Sequence, residues 1–313
     1  MKKIYWLFVC VSFALYSLTA HAEGLTVFTD IMYWQASQAS SSTWATTGAE
    51  PAPGLETVDV NDMDFNPDFG YRIGLMYEPS TSFFDTKIYY TSFTTQSSEQ
   101  VPVGGHVVYP QYFSGFLSRN FFFGADSSWK IDLNEVDIEA SHLFPIGNSF
   151  TFRPSIGIKG ATIDQTVKTK WLAELYTANE KVINDFTGIG PSLGLDTNWK
   201  IYKGLSFEGD FSLALMYGNW DDKDVYQRPA AALGLVTPTT ITTKTTNSEL
   251  GTAMYDYFLG FKWEYHGKSQ ISMKLGYEME HWSDQYRATD FEQLPVHGDL
   301  TLQGATCGIY IEV

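Results

Sequence analysis

Cysteine is nearly missing from this sequence, basic residues are few, and no long apolar stretch follows the N-terminal region. Of the two cysteines, Cys10 lies in an N-terminal apolar run and Cys307 near the end. Once that run is removed, one thiol remains and no intrachain disulfide can form, although an exported chain could hold one. The 20 Lys and Arg face 36 Asp and Glu with no basic block, which argues against nucleic acid as a partner and against charge-driven attachment to anionic lipid. After the N-terminal run no segment approaches the ~20 apolar residues of a membrane helix. A helical membrane protein is thereby excluded, leaving a soluble exported protein or a barrel.

The N-terminus itself, "MKKIYWLFVCVSFALYSLTAHAEG", has two lysines, an apolar run and Ala20-His21-Ala22 as a cleavage site. This predicts a secretory signal over residues 1–22 and a mature chain from Glu23. Loss of Lys2 and Lys3 takes the formal charge from −16 to −18.

What the mature chain has in abundance is alternation. In "LSFEGDFSLALMYGNW" one face reads Leu205, Phe207, Gly209, Phe211, Leu213, Leu215, Tyr217 and the other Ser206, Glu208, Asp210, Ser212, Ala214, Met216, Gly218. Period two is the strand period; a helix would scatter those apolar residues around its surface. The pattern recurs near 25–34, 68–78, 83–94, 129–144, 150–162, 186–199, 205–218, 250–265, 270–282 and 299–313. About ten strands are expected, with charge kept to one face of each. Short connections ("EPSTS", "PIGNS", "KIYKG", "HGKS") alternate with long ones at 35–67, 95–128, 163–185, 219–249 and 283–298. This is the plan of an all-β, antiparallel up-and-down transmembrane barrel with short periplasmic turns and long extracellular loops. Two low-complexity pieces, "QASQASSSTWATTG" and "TPTTITTKTTNS", read as solvated loop; either could hide a hairpin, so twelve strands is an alternative.

A soluble sandwich also alternates. Three features favour the barrel. Trp199, Tyr217, Trp220, Trp263 and Tyr265 lie near strand ends like interfacial girdles. The charged face carries many small residues (Gly188, Gly190, Ser192, Gly194) suited to a crowded interior. The C-terminal "TCGIYIEV" presents Thr306, Gly308, Ile311 and Val313 in the spacing of a barrel-insertion signal, with Val313 where Phe or Trp is usual. Leu300 and Leu302 fall on the opposite parity, which predicts a bulge near Gly304.

Catalytic motifs are lacking. "GIGPSLG" has neither the spacing nor the following helix of a dinucleotide loop. There is no H-E-x-x-H, no Cys/His cluster of zinc spacing and no G-x-S-x-G, so no catalytic residue, metal ligand or cofactor is expected. His281, beside Glu280 and near Asp284, is the best candidate for a hydrolase group. Cys307 falls on the outward face, as a small apolar residue against lipid or a thiol able to cross-link subunits. By parity the inward acids are Asp30, Glu78, Asp85, Glu135, Asp137, Glu139, Asp196, Glu208, Asp210, Asp256, Glu264, Glu278 and Glu280, and the inward bases Arg72, Lys87, Arg153, Lys159, Lys262 and Lys274. They could line a water-filled lumen, where rings of acids favour cations, or pair into a polar core.

The stretches "VDIEASHLFPIGNSFTFRPSIGIKGATIDQ", "FTGIGPSLGLDTNWKIYKGLSFEGDFSLALMYGNW", "DIMYWQA" and "LQGATCGIYIEV" resemble the Legionella-type major outer membrane protein family of pore-forming proteins. The resemblance implies an integral outer-membrane barrel with porin-like activity and brings no catalytic residues. The expectation is a non-enzymatic pore for small hydrophilic solutes or ions, with a mild preference for cations. Its expected partners are outer-membrane lipid, the barrel-insertion machinery and the permeating solutes, with a homo-oligomer possible. A closed-lumen adhesin or structural barrel acting through its loops is the alternative, and an outer-membrane hydrolase the third.

Overall fold

A computed structural model describes residues 24–39, 42–49, 58–80, 83–111, 122–230, 237–267, 270–289 and 295–313. The expected signal at residues 1–22 lies outside them. The elements are β1 (Leu25–Ala39), β2 (Thr43–Ala49), β3 (Val58–Asp62), β4 (Asp68–Tyr77), β5 (Asp85–Val101), β6 (His106–Pro110), β7 (Gly124–Ser141), β8 (Phe144–Ile146), β9 (Phe150–Leu172), β10 (Thr177–Tyr202), β11 (Leu205–Arg228), β12 (Thr239–His266), β13 (Gln270–Thr289) and β14 (Pro295–Glu312). Ten of them, β1, β4, β5, β7 and β9 to β14, pair antiparallel with their neighbours, and β14 against β1 together with β9 against β10 closes the ring. Closure removes every long unpaired edge, the condition for crossing lipid with strands. β2, β3 and β6 form a separate small sheet in the order β3-β2-β6, and among the described residues β8 pairs only with β9. The barrel is therefore ten-stranded.

Alternation builds the wall. On β11, Phe207, Phe211, Leu215 and Tyr217 are exposed outward, and on β10, Ile189, Leu193, Leu195 and Trp199 likewise. Ten residues separate Ile189 from Trp199 and Phe207 from Tyr217. At a strand rise of ~3.3 Å and a tilt near 40° this gives an apolar band about 25 Å tall, the thickness expected of a barrel's lipid belt. The band fixes the membrane-crossing parts of these strands. The connection at Lys203 and Gly204 marks the periplasmic end, where Gly204 adopts φ +73° to reverse the chain.

Several strands continue far above the band. The pieces expected to be loops at 163–185 and 219–249 are largely strand, as β9 and β10 run on to Leu172 and from Thr177 and β11 and β12 to Arg228 and from Thr239. "TPTTITTKTTNS" is mostly β12, and "QASQASSSTWATTG" supplies the end of β1 and most of β2. Thr-rich and Ser-rich sequence satisfies its backbone in the ladder as well as coil does in water, because Thr is a good strand former. Low complexity alone therefore misreads it.

Two expectations about faces are corrected. Trp220 is fully buried and points inward, because residues 216, 218 and 220 share the lumen parity of Glu208 and Asp210. Leu300 and Leu302 are also buried, and β14 pairs with β1 without interruption from Asp299 to Glu312. There is no bulge near Gly304; the lumen at that height is apolar, so parity is kept. A register shift does occur in β13, between Trp282 and Tyr286, with Asp284 at φ +54°.

Candidate functional site

The lumen has two layers of different chemistry. In the lower half, within the lipid belt, every charged residue anticipated from parity faces inward, and many are paired. Arg72 is the hub of one wall: its Nη1 lies 3.3 Å from Asp30 Oδ2, its Nη2 donates to Glu278 Oε1 at 2.8 Å and its Nε to Thr91 at 3.0 Å. Lys274 approaches the same Asp30 at 3.6 Å, and Tyr310 donates to it at 3.1 Å. Thr306 donates to Glu278 at 2.6 Å while accepting from the Trp34 indole. On the β7–β9 wall Lys159 bridges Glu135 at 3.3 Å and Asp137 at 3.0 Å. Glu139 accepts from the Tyr89 hydroxyl, and Lys87 lies over the Tyr89 ring. Nearer the periplasmic rim Arg153 pairs with Glu78 and Asp85, and Lys262 with Glu264 at 3.2 Å.

The remaining wall is acidic and short of cations. Asp196 stands directly opposite Asp210 across β10 and β11, and Glu208 follows two residues on. Ser212 donates to Asp256 at 3.1 Å. Glu208 Oε2, Asp210 Oδ1, Glu135 Oε1, Asp137 Oδ1 and Glu280 Oε2 are buried with no protein partner. Buried carboxylate oxygens of this kind require water or an ion. A vestibule of about 320 Å³ opens here, bounded by Arg153, Asp196, Glu208, Lys262, Glu264 and Tyr310, and a void of about 40 Å³ lies deeper beside Lys87, Asp210, Asp256 and Lys274.

The upper half is packed with aromatic side chains. Trp34, Trp129, Trp171, Trp220, Trp282, Tyr286 and Phe93 are fully buried, and the rings meet at 4.8 Å (Phe186–Trp220), 5.2 Å (Trp129–Tyr286), 5.8 Å (Trp34–Phe93) and 6.0 Å (Phe186–Trp282). Each indole finds an acceptor. Trp129 donates to Gln165, Trp171 to Glu180, Trp220 to the Gln285 carbonyl and Trp282 to Glu280, at 2.6 to 2.9 Å. Of the small residues of "GIGPSLG", Gly188 serves this layer. Gly188 pairs with Gly218, and the Phe186 ring lies where a Cβ on either would be. A side chain at those positions would lift Phe186 from the wall.

Above the lipid belt the lumen carries a second acidic group. Glu180 and Asp224 are buried against each other; desolvation, then the charge of Glu180, pushes Asp224 up to about 9, and desolvation raises Glu180 to about 7 despite its Trp171 hydrogen bond. Neighbouring Asp222, bonded to Asn184, rises to about 7, chiefly by burial. Asp224 holds its proton at neutral pH, because burial and the charge of Glu180 both oppose its ionisation.

The ring of ten strands closes on itself behind an apolar lipid-facing band. The family model for the Legionella pneumophila major outer membrane protein precursor matches residues 19–313. The chain belongs to this family. It is thus an integral outer-membrane protein. No curated protein matches it. Among solved structures, the Escherichia coli outer membrane protease OmpT aligns with 9% identity and a TM-score of 0.50, covering 95% of this chain and 99% of that one. A Pseudomonas aeruginosa FadL homologue aligns at 8% identity over 92% and 90% of the two chains with a TM-score of 0.27. The Pseudomonas putida toluene transporter TodX gives 7%, 93%, 90% and 0.30. At these identities the OmpT match shows the fold alone.

Among the described residues no group of three or more His, Cys, Asp or Glu is arranged to hold a metal. His281 does not join Glu280: they project to opposite faces, His281 bonding Thr301 at 2.8 Å and Glu280 taking the Trp282 indole inside. Asp284 contacts His297 instead, at 3.5 Å. Cys307 is exposed on the lipid face. Of the terminal motif, Thr306 is buried in the Glu278 network, Gly308 faces Asp30, and Ile311 pairs with Val27 and Ile271. Val313, at the end of the chain, is exposed.

Sequence reasoning missed the aromatic layer. The signal was present: Trp34, Trp129, Trp220, Trp282, Leu300 and Leu302 all carry inward parity. It was hidden because the strands were ended too early and an aromatic near a strand end was assigned to the lipid interface.

Proposed function

We propose that this protein is an outer-membrane pore for small cations and hydrophilic solutes whose passage is controlled by the aromatic layer. The observation that carries the proposal is the acid-rich wall of Asp196, Glu208 and Asp210, with carboxylate oxygens lacking protein partners, continuous with a vestibule. A purely structural barrel gains nothing from this wall. Desolvated charges are commonly replaceable by packed apolar side chains at no loss of stability, and the same chain fills its upper lumen in that way. Membership of a family resembling pore-formers adds support. The experiment is a reversal-potential measurement across a salt gradient in planar bilayers. Wild type is expected to favour cations, and Glu208→Lys with Asp210→Lys to move the preference toward anions. Unchanged selectivity in a conducting double variant would place the current elsewhere.

A second reading, a closed barrel acting through its extracellular end, is favoured by the fully buried Trp layer. Conductance seen only after that layer is thinned would support it.

A further inference from the structure

The outer wall above the lipid belt carries an unusual pattern of like charges. Asp132, Asp164, Asp185 and Asp221 lie in one row, each directly opposite the next on β7, β9, β10 and β11. Over this row stand lysines. Lys168 is directly opposite Lys181, and Lys223 directly opposite Lys244. Lys170 lies two residues beyond Lys168. All five are exposed, and among the described residues none has a carboxylate within ion-pair distance. Like charges placed directly opposite on adjacent strands destabilise the pair.

These lysines border a groove of about 870 Å³ on the outer face of the strand extensions, with Lys168, Lys170, Lys181 and Lys223 in its lining and Glu99 and Asp126 at its β5–β7 edge. Its height selects the occupant. Lys223 is six residues above Tyr217, the last exposed aromatic of the band on β11, hence about 15 Å above the hydrocarbon. Asp221 stands about 10 Å above it by the same geometry. A phospholipid headgroup layer extends only about 5–8 Å from the hydrocarbon, so its phosphate stops short of the lysines and has the aspartate row between it and them. A lipid with a tall, sugar-based headgroup carries anionic groups past that row to the lysines.

We propose that this groove binds the anionic saccharide headgroup of an outer-leaflet glycolipid, the lysines pairing with its phosphate or carboxylate groups. The acidic balance of the whole sequence argued against charge-driven lipid contact; the clustering on one wall overrides it locally, because screening confines such attraction to within a Debye length.

The test uses the full-length folded protein in zwitterionic detergent, titrated with fluorescent lipopolysaccharide. Phosphatidylglycerol and heparin are the comparison probes. Wild type should bind lipopolysaccharide in preference to both. Replacing Lys168, Lys170, Lys181 and Lys223 together by Ala should weaken that binding at least about tenfold, and the four Arg replacements should restore it. Should the fourfold variant fail to fold, Lys181→Ala with Lys223→Ala is expected to show a smaller loss of the same kind. Equal affinity of wild type and the Ala variants would overturn the proposal. Heparin bound as tightly as lipopolysaccharide, with the same loss on substitution, would overturn it in favour of a soluble polyanion.

Discussion

Replacing Arg72 by Met probes the charged lumen at its most connected point. The guanidinium holds Asp30 at 3.3 Å and Glu278 at 2.8 Å, with side-chain exposures of 10%, 0% and 2%. At an effective dielectric of ~20 these two contacts are worth about 5 and 6 kcal/mol of Coulomb energy before desolvation is subtracted. After substitution Asp30 keeps Lys274 at 3.6 Å and the Tyr310 hydroxyl. Glu278 keeps only the Thr306 hydroxyl among the described contacts. Removing one partner of a buried pair strands the other charge, at a typical cost of 3–5 kcal/mol. The assay is a urea titration of the protein refolded in phosphatidylcholine vesicles, followed by heat-modifiable gel mobility. Lys262→Met is the control: its pair with Glu264 at 3.2 Å is 27% and 25% exposed, and should be worth under about 1 kcal/mol. A loss of about 1 kcal/mol or less for Arg72→Met would refute the reasoning, since the hub would then be as hydrated as the rim.

Other consequences follow from the same geometry. Asp210→Asn removes a like charge opposite Asp196 and should leave stability unchanged or raise it by about 0.5 kcal/mol in the same titration; a loss above about 2 kcal/mol would show a hidden partner. Trp282→Ala should cost about 3–5 kcal/mol and strip Glu280 of its indole donor; a neutral effect would mean that the layer is loosely packed. Asp224 and Glu180 are pushed up to about 9 and about 7 in the fold from ordinary values of 3.8 and 4.5. Folding therefore takes up protons above pH ~4, and stability should fall as pH rises from about 5 to 9, by at most about 1.4 kcal/mol per unit per proton. Glu180→Gln with Asp224→Asn should flatten that slope; an unchanged slope would assign it elsewhere. Cys307, exposed to lipid, should react with an apolar maleimide in intact vesicles and with a charged one only after unfolding, and prompt labelling by the charged reagent would contradict its placement.

Much of this architecture was legible because the membrane enforces it. Lipid on one side and a crowded polar lumen on the other hold period two with few exceptions, so Phe207 to Tyr217 and Trp263 to Tyr265 could be assigned to the outer face from sequence alone. Inward placement of Arg72, Lys159, Lys274 and Glu278 followed from the same count. What parity cannot give is which charges meet. Asp30 joins Arg72 from β4 and Lys274 from β13, far apart in the chain and brought together only by the way the ring closes. Above the belt the physical contrast changes: both faces are polar or mixed, as in Thr-rich β12, and the strand pattern fades where the structure continues. Trp220 and Leu302 were misread there, since an apolar residue has an inward place only if the lumen has become apolar.

The central proposal is that the acid-lined lower lumen is a conduction path narrowed above by aromatic side chains. Single-channel recording of the folded wild type beside Trp220→Ala tests it directly. Stepwise, cation-favouring conductance in wild type, larger in the variant because the layer is thinner, is the predicted result. Silence from both, with each shown to be a folded, heat-modifiable barrel, would contradict it.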